Sequence, residues 1–341
     1  MRFVVYGSQQ RLGVLHEGAV VDVSGAVAKH LAEKHGEPNP VIMAEAIAPS
    51  DLESFIEGGD RALEAVRAAL DYLFDGAADD IGCEGEELVL PAEEIYLHAP
   101  KPRSGRVAFC GGNFPAHAAA MASQNGRELG APALDPREQV RARGFWGSWK
   151  IDRDAVGPDG EVIYPNGVTR FDYEGELAIV LGRRIKNIKA EDARSAIWGI
   201  TLFTDWSARD YPENPASLNF AKRKNFDNCY SLGPCIVVGE FDERNIDIET
   251  WVNDEQRQSF NTKDMAYSFG EYLQFLSHGL TLYPGDIIAS GTGRGTAMDS
   301  SKKGDDGKVA PDLFLKPGDR VEIRSPQIGS LRSSILPSDP E

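Results

Sequence analysis

The run Phe171-Asp172-Tyr173-Glu174-Gly175-Glu176-Leu177-Ala178-Ile179-Val180-Leu181 decides how this chain is read. Its apolar end reads as a β-strand, and a period of two places Glu174 and Glu176 on one face with Ala178 and Val180. Acid and apolar side chains then share a buried surface. An ionised carboxylate there is costly unless something positive meets it, so two of them ask for a cation or a proton. A second strand pattern over 199–204 ends at Asp205, where a turn begins and a ligand can reach a side chain fixed by the sheet. Three carboxylates with no histidine make an oxygen-only donor set, which favours Mg²⁺, Mn²⁺ or Ca²⁺ over zinc or copper. By spacing alone, ordinary surface or salt-bridged acids fit equally well.

Outward from that run, composition narrows the partners. The chain has 341 residues, with 36 Lys and Arg against 53 Asp and Glu and a net charge of −17, which argues against nucleic acid and anionic membrane surfaces. A small anionic substrate stays compatible, because a few arginines and lysines reverse the field inside a cleft. Cys83, Cys110, Cys229 and Cys235 form no Cys-x-x-Cys pair and no zinc-like spacing with histidine, so free structural thiols are expected. The first residues carry no signal-peptide pattern and no run has the length of a membrane helix, so a soluble cytoplasmic protein is expected.

Strand patterns over 2–6, 13–16 and 19–23 open the chain. A helix follows near Asp60, its expected N-cap, with Leu63, Val66, Leu70 and Leu73 at stripe spacing. The stretch His98-Ala99-Pro100-Lys101-Pro102-Arg103-Ser104-Gly105 reads as a linker, which divides the chain into a small N-terminal domain over 1–100 and a larger one over 101–341. A strand over 106–110 then leads through Gly111-Gly112-Asn113-Phe114-Pro115 into an alanine-rich helix over 116–123 and a polar loop over 124–143. Beyond it we expect strands near 173–181, 198–204, 234–239, 286–290 and 320–324, with helices over 190–197 and 269–278. Many short strands and few helices favour a β-rich barrel or sandwich over a doubly wound sheet.

Taken together, the run 171–182, Asp205-Trp206-Ser207-Ala208-Arg209-Asp210, Lys224-Asn225-Phe226-Asp227, Leu232-Gly233-Pro234, Tyr283-Pro284-Gly285-Asp286 and Leu315-Lys316-Pro317-Gly318-Asp319 resemble the successive motifs of the fumarylacetoacetate hydrolase superfamily. The match runs in order from 106 to about 337, whereas 1–100 resembles that family's variable amino-terminal domain. The resemblance implies an α+β, β-rich fold, a mixed β-roll core with a small N-terminal α/β domain, usually homodimeric. It also implies a divalent cation, Mg²⁺ or Mn²⁺ with Ca²⁺ possible, on Glu174, Glu176 and Asp205. His117, four residues after Asn113, matches the family's general base, and Arg209 and Lys224 its positive groups. Thr292, Gly293, Arg294 and Lys150 are candidate substrate contacts, the first two through a turn that presents backbone N–H groups.

Departures from the pattern bear on the chemistry. Cys110 stands where the name-giving hydrolase has a fourth metal carboxylate, so three are expected here. Ala120 stands where smaller members place the glutamate that orients the histidine, Pro212 replaces a glutamine, and Gly293-Arg294-Gly295 replaces the common proline turn. The first expectation is hydrolysis of a C–C bond in a 2,4-dioxo acid, an acylpyruvate or fumarylpyruvate-like substrate, through an enolate. Isomerisation, decarboxylation or dehydration of a related 2-oxo acid at the same site is the alternative, and a metal-binding protein without turnover is the third.

Overall fold

A computed structural model describes residues 1–75, 78–124, 126, 134–151, 153–210, 222–304 and 309–338. Strand Gly175–Leu181 is buried along its whole length and sits inside a large sheet, between antiparallel Ile197–Asp205 and antiparallel Ile287–Ala289. From Ile287–Ala289 the sheet continues through parallel Val107–Cys110 to Gly147–Lys150. From Ile197–Asp205 it continues through Tyr230–Val238 to Arg2–Tyr6, and on to Arg11–His16, Ala19–Asp22 and Val89–Pro91. A second sheet of five strands runs Glu255–Asn261, Asp247–Val252, Arg320–Ser325, Gly329–Leu336, Gly160–Ile163. The fold is thus mixed, sheet-rich α+β, as the resemblance implied, whereas the strand count alone pointed to a β-rich barrel or sandwich.

Two cores explain why Gly175–Leu181 shows no polar alternation. Leu177, Ile179 and Leu181 pack in a cluster with Val252, Val321 and Ile323 of the second sheet, while Ala178 and Val180 join Phe55, Ile56, Leu63 and Val66 of the N-terminal helices. A strand covered on both faces needs apolar residues at nearly every position, and Glu176 is the one charged residue within it.

The N-terminal segment differs in detail from expectation. Arg2 and Phe3 pair with Val237 and Ile236, so the sheet runs across the boundary expected near residue 100. Helix Val23–His35 begins where strand Ala19–Asp22 ends, because Asp22 caps it by accepting from Gly25 N, and helix Pro40–Ile47 follows. Sequence reading missed both. The helix expected near Asp60 begins earlier, capped by Asp51, and kinks at Gly59, whose φ of 59° with ψ of −144° is a combination confined to glycine. Within the expected polar loop, helix Pro136–Arg143 forms behind an Asp135/Glu138 capping box; 125 and 127–133 lie outside the described residues. The helix expected over 190–197 is a single 3₁₀ turn, Ala193–Ala196.

Candidate active site

Antiparallel pairing builds the acid cluster. Glu176 lies opposite Phe203, and Asp205 N donates to Glu174 O at 2.9 Å, so Glu174 and Asp205 are cross-strand neighbours and Glu176 is one pleat along the same face. One oxygen from each of Glu174, Glu176 and Asp205 falls within 4.8 Å of the others, and all three residues are buried. Gly175 between the glutamates is required by packing, since a Cβ there would stand 2.3 Å from Thr250 Oγ1.

Three cations serve the cluster from behind and beside it. Lys150 Nζ, fully buried, donates to Asp205 Oδ1 at 2.6 Å and to the carbonyls of Lys224 and Cys229. Lys224 Nζ bridges Glu174 Oε2 at 2.6 Å and Asp205 Oδ2 at 2.9 Å, and reaches Ser207 Oγ. Arg209 spans Asp172 Oδ2 at 2.8 Å and Glu174 Oε1 at 2.6 Å. Burial raises the Glu174 carboxyl, yet Lys224 and Arg209 overcome that and hold it well below the usual range. Glu176 is different. Burial first, then Asp205 and Glu174, push its carboxyl well above the ordinary value, with only Gly291 N donating to Oε2.

Its other oxygen, Oε1, is buried with no hydrogen-bond partner. An orphaned buried carboxylate oxygen beside two more carboxylates fits a divalent cation as the missing partner, and three oxygens leave positions for water and substrate. Cys110 lines the same cavity, and burial pushes its thiol well up.

His117 approaches from helix Pro115–Gln124, and Asn113 anchors that approach through bonds with Tyr267 N, Tyr267 O and Ser290 O. The partner missing at Ala120 comes from elsewhere. Asp299 Oδ2 lies 2.8 Å from His117 Nδ1, with both side chains buried. Burial lowers the imidazole's value, but Asp299 by charge and hydrogen bond more than offsets it, so His117 titrates above its ordinary value. Asp299 sits in the short helix Ala297–Ser300, capped by Thr296, and Asp172 accepts from Ala297 N and Met298 N. Through Asp172 the turn carrying Asp299 is tied to Arg209 and so to Glu174.

His117, Glu174, Ser207, Arg209, Lys224 and Thr292 share one cavity of about 610 Å³. The remaining expected contacts fall outside its lining. Lys150 is sealed behind Asp205, Gly293 packs under Phe260 with its carbonyl accepting from Gln258, and Arg294 lines a separate surface hollow with Phe114 and Phe260. Asp299 and Asp172 were missed. A Thr-x-x-Asp cap pattern at 296–299 was the available signal for Asp299, but nothing local tied it to His117, 182 positions away.

An acid cluster with the donor set for a divalent cation, a buried histidine–aspartate pair and a Gly-Thr-Gly turn just beyond strand Ile287–Ala289 make up the candidate site. The chain belongs to the fumarylacetoacetate hydrolase family: the model of the fumarylacetoacetate hydrolase C-terminal domain matches residues 106–336. It is 31% identical over 312 residues to oxaloacetate tautomerase FAHD2A, mitochondrial, of Bos taurus, covering 90% of this chain and 87% of that one. Oxaloacetate tautomerase YisK of Bacillus subtilis is 31% identical over 290 residues, covering 84% and 87%. Among solved structures, fumarylacetoacetate hydrolase of Exiguobacterium antarcticum superposes with a TM-score of 0.70 at 23% identity, covering 99% of each chain. Maleylpyruvate hydrolase of Sphingobium sp. SYK-6, in complex with manganese(II) and pyruvate, gives 0.65 at 24%, covering 99% of this chain and 100% of that one. Members of the family act as metal-dependent hydrolases, isomerases or tautomerases on oxo acids. No described helix is long and apolar enough to cross a membrane.

Proposed function

We propose that the protein is a metal-dependent tautomerase of a 2-oxo acid, with oxaloacetate the first substrate to test. The buried His117–Asp299 pair, with His117 lining one cavity together with Glu174, Lys224 and Arg209, carries this reading. Keto–enol exchange moves one proton from the carbon beside the ketone to the 2-oxygen, which needs one oriented base and a positive wall. With Nδ1 held by Asp299, His117 has Nε2 left to take the carbon-bound proton, and Asp299 steadies the imidazolium that results. Lys224 and Arg209 offset negative charge developing on the oxygen, at positions their bonds to Glu174, Asp205 and Asp172 hold rigid. Glu174, Glu176 and Asp205 would hold Mg²⁺ or Mn²⁺, which supplies Lewis acidity toward the 2-oxo group. The maleylpyruvate hydrolase complex with manganese and pyruvate supports that assignment of ion and substrate type.

Hydrolysis of a C–C bond in a 2,4-dioxo acid would use the same His117 on a water molecule. The tautomerase reading ranks first because relatives 30–31% identical over about nine-tenths of the chain carry that name, whereas the hydrolase structures share the fold at lower identity. Following the ultraviolet absorbance of enol-oxaloacetate with Mn²⁺, and after chelation, tests it. Metal-dependent acceleration with the carbon skeleton intact is expected; release of pyruvate and carbon dioxide, or cleavage of acylpyruvates without such acceleration, would overturn it.

A further inference from the structure

Gln258 is a polar residue in an apolar place. It lies on strand Glu255–Asn261 of the second sheet, opposite Thr250, and both are buried on the face that otherwise turns Ile248, Val252, Val321 and Ile323 toward the first sheet. An amide there is costly unless each of its hydrogen-bonding groups is met. All are met. Oε1 accepts from Gly175 N at 3.1 Å and from Thr250 Oγ1 at 2.7 Å, and Nε2 donates to Thr292 Oγ1 and to Gly293 O, each at 2.8 Å. The backbone partners fix which way the amide faces, because Gly175 N can only donate and Gly293 O can only accept.

The edge of the metal strand explains why it is there. Strand Ile287–Ala289 pairs with Gly175–Leu181 only at Ala178, Ile179 and Val180. Ser290 then meets the edge at Leu177, its N donating to Leu177 O and its Oγ accepting from Leu177 N. Gly175 comes next along that edge, and its N–H and C=O find side chains in place of a strand, Gln258 Oε1 and Thr292 Oγ1. Thr292 Oγ1 donates to Gly175 O at 2.8 Å while it accepts from Gln258 Nε2, so the bonds close into a ring. Gly175 stands between Glu174 and Glu176, and Thr292 lines the cavity with Glu174. One buried amide thus ties the backbone between the two glutamates to the turn at 291–293. Linked hydrogen bonds reinforce one another, and groups that orient metal ligands from behind are worth about tenfold to a hundredfold in metal affinity.

We infer that Gln258 is a positioning residue, which holds the two glutamates and the turn at 291–293 in one fixed relation. Affinity for the ion, and affinity for an oxo acid on that ion, then both depend on a side chain outside the cavity's lining. The inference rests on the divalent-cation reading of the acid cluster and not on which oxo acid is turned over. Its test needs no turnover. Mn²⁺ binding would be followed by water-proton relaxation well below the unfolding temperature, and the Mn²⁺-saturated protein then titrated with pyruvate.

Gln258→Met keeps the length of the side chain and loses its hydrogen bonds, so it should weaken Mn²⁺ binding about tenfold or more and pyruvate binding severalfold. Asn261→Ala on the same strand loses bonds to Asn245 and Asp247, and should lower Tm in chelator without moving either affinity. A merely structural role for Gln258 would give that second pattern. In a cycle with Thr292→Val, positioning through the Thr292 hydroxyl makes the double variant bind pyruvate no worse than the weaker single one. Should Gln258→Met fail to fold, Gln258→Asn, one methylene too short to reach Gly175 N and Thr292 Oγ1 together, carries the same measurements. Either affinity unmoved in the Gln258 variants, an equal loss in Asn261→Ala, or additive losses in the cycle overturns the inference. The expected losses in a protein that does not tautomerise oxaloacetate would remove the proposed activity and keep the positioning role. Tautomerisation with unmoved affinities would do the reverse, and a wild type that binds no Mn²⁺ overturns both.

Discussion

Replacing Glu176 by Gln should make the metal-free protein more stable and the metal-loaded protein less so. In the cluster Glu176 Oε1 has no partner, and Asp205 and Glu174 lie beside it, so the side chain bears both a desolvation and a like-charge penalty. Relieving one buried unsatisfied polar group is worth about 2 kcal/mol. At roughly 2.1 cal/mol/K of unfolding entropy per residue, 341 residues correspond to about 0.7 kcal/mol/K, so Tm in chelator should rise by about 3 °C. In wild type, a divalent ion at a hundred times its Kd adds about 2.7 kcal/mol, or about 4 °C, and the variant should lose most of that.

The two proteins should therefore exchange rank between chelator and saturating Mn²⁺ in a scanning calorimeter. Since the folded value of Glu176 is raised, its penalty is absent below the ordinary carboxyl value and grows as pH rises toward the raised one. The advantage of Gln in chelator should accordingly vanish near about pH 4. A variant less stable than wild type in chelator at neutral pH would refute the reasoning, because it would mean that Glu176 is satisfied without an ion.

Asp299→Asn removes the group that holds the His117 value up, leaving burial to lower it, so the acid limb of the kcat/KM profile should move to lower pH while kcat falls about tenfold to a hundredfold. The same pair stabilises the fold in acid and loses that contribution as pH rises through the raised His117 value, so the variant's deficit in Tm should shrink in alkali. Lys150→Met takes one cation from the buried Asp205 and should cost about 3 kcal/mol, read from urea unfolding, with divalent ion restoring part. Gly175→Ala drives a Cβ into Thr250 Oγ1 and against Ile323, which should cost about 1–3 kcal/mol and weaken Mn²⁺ binding in a direct titration.

The meeting of the three acids was legible because its logic is local. Two glutamates at strand spacing and an aspartate at a strand end need one antiparallel pairing to meet. His117 was legible only through the family resemblance, in which a histidine follows an asparagine by four residues. What stayed hidden depends on the path of the chain. Asp299 meets His117 because the Gly-Thr-Gly turn sends residues 294–299 back over the cavity, and Arg294 faces outward for the same reason. Lys150 looked like a substrate contact because the family often has a lysine near the active site at that place, whereas Asp205 and two carbonyls satisfy its ammonium here and it lies outside the cavity's lining. Helix Val23–His35 escaped notice because Asp22 serves both as the last strand residue and as the cap.

The pairing of Arg2–Tyr6 with Tyr230–Val238 has a consequence for how the chain is made. A ribosome delivers the opening hairpin first and its sheet neighbour more than two hundred residues later. At roughly 5–20 residues per second, that edge waits about 10–50 s with its N–H and C=O groups unmatched. Arg2 and Phe3 lie along it, and the buried Phe3 makes a sticky border in a crowded cell. Slow passage through the intervening codons would lengthen the wait, so yield during expression should respond to translation speed between those two strands more than to the stability of the finished fold.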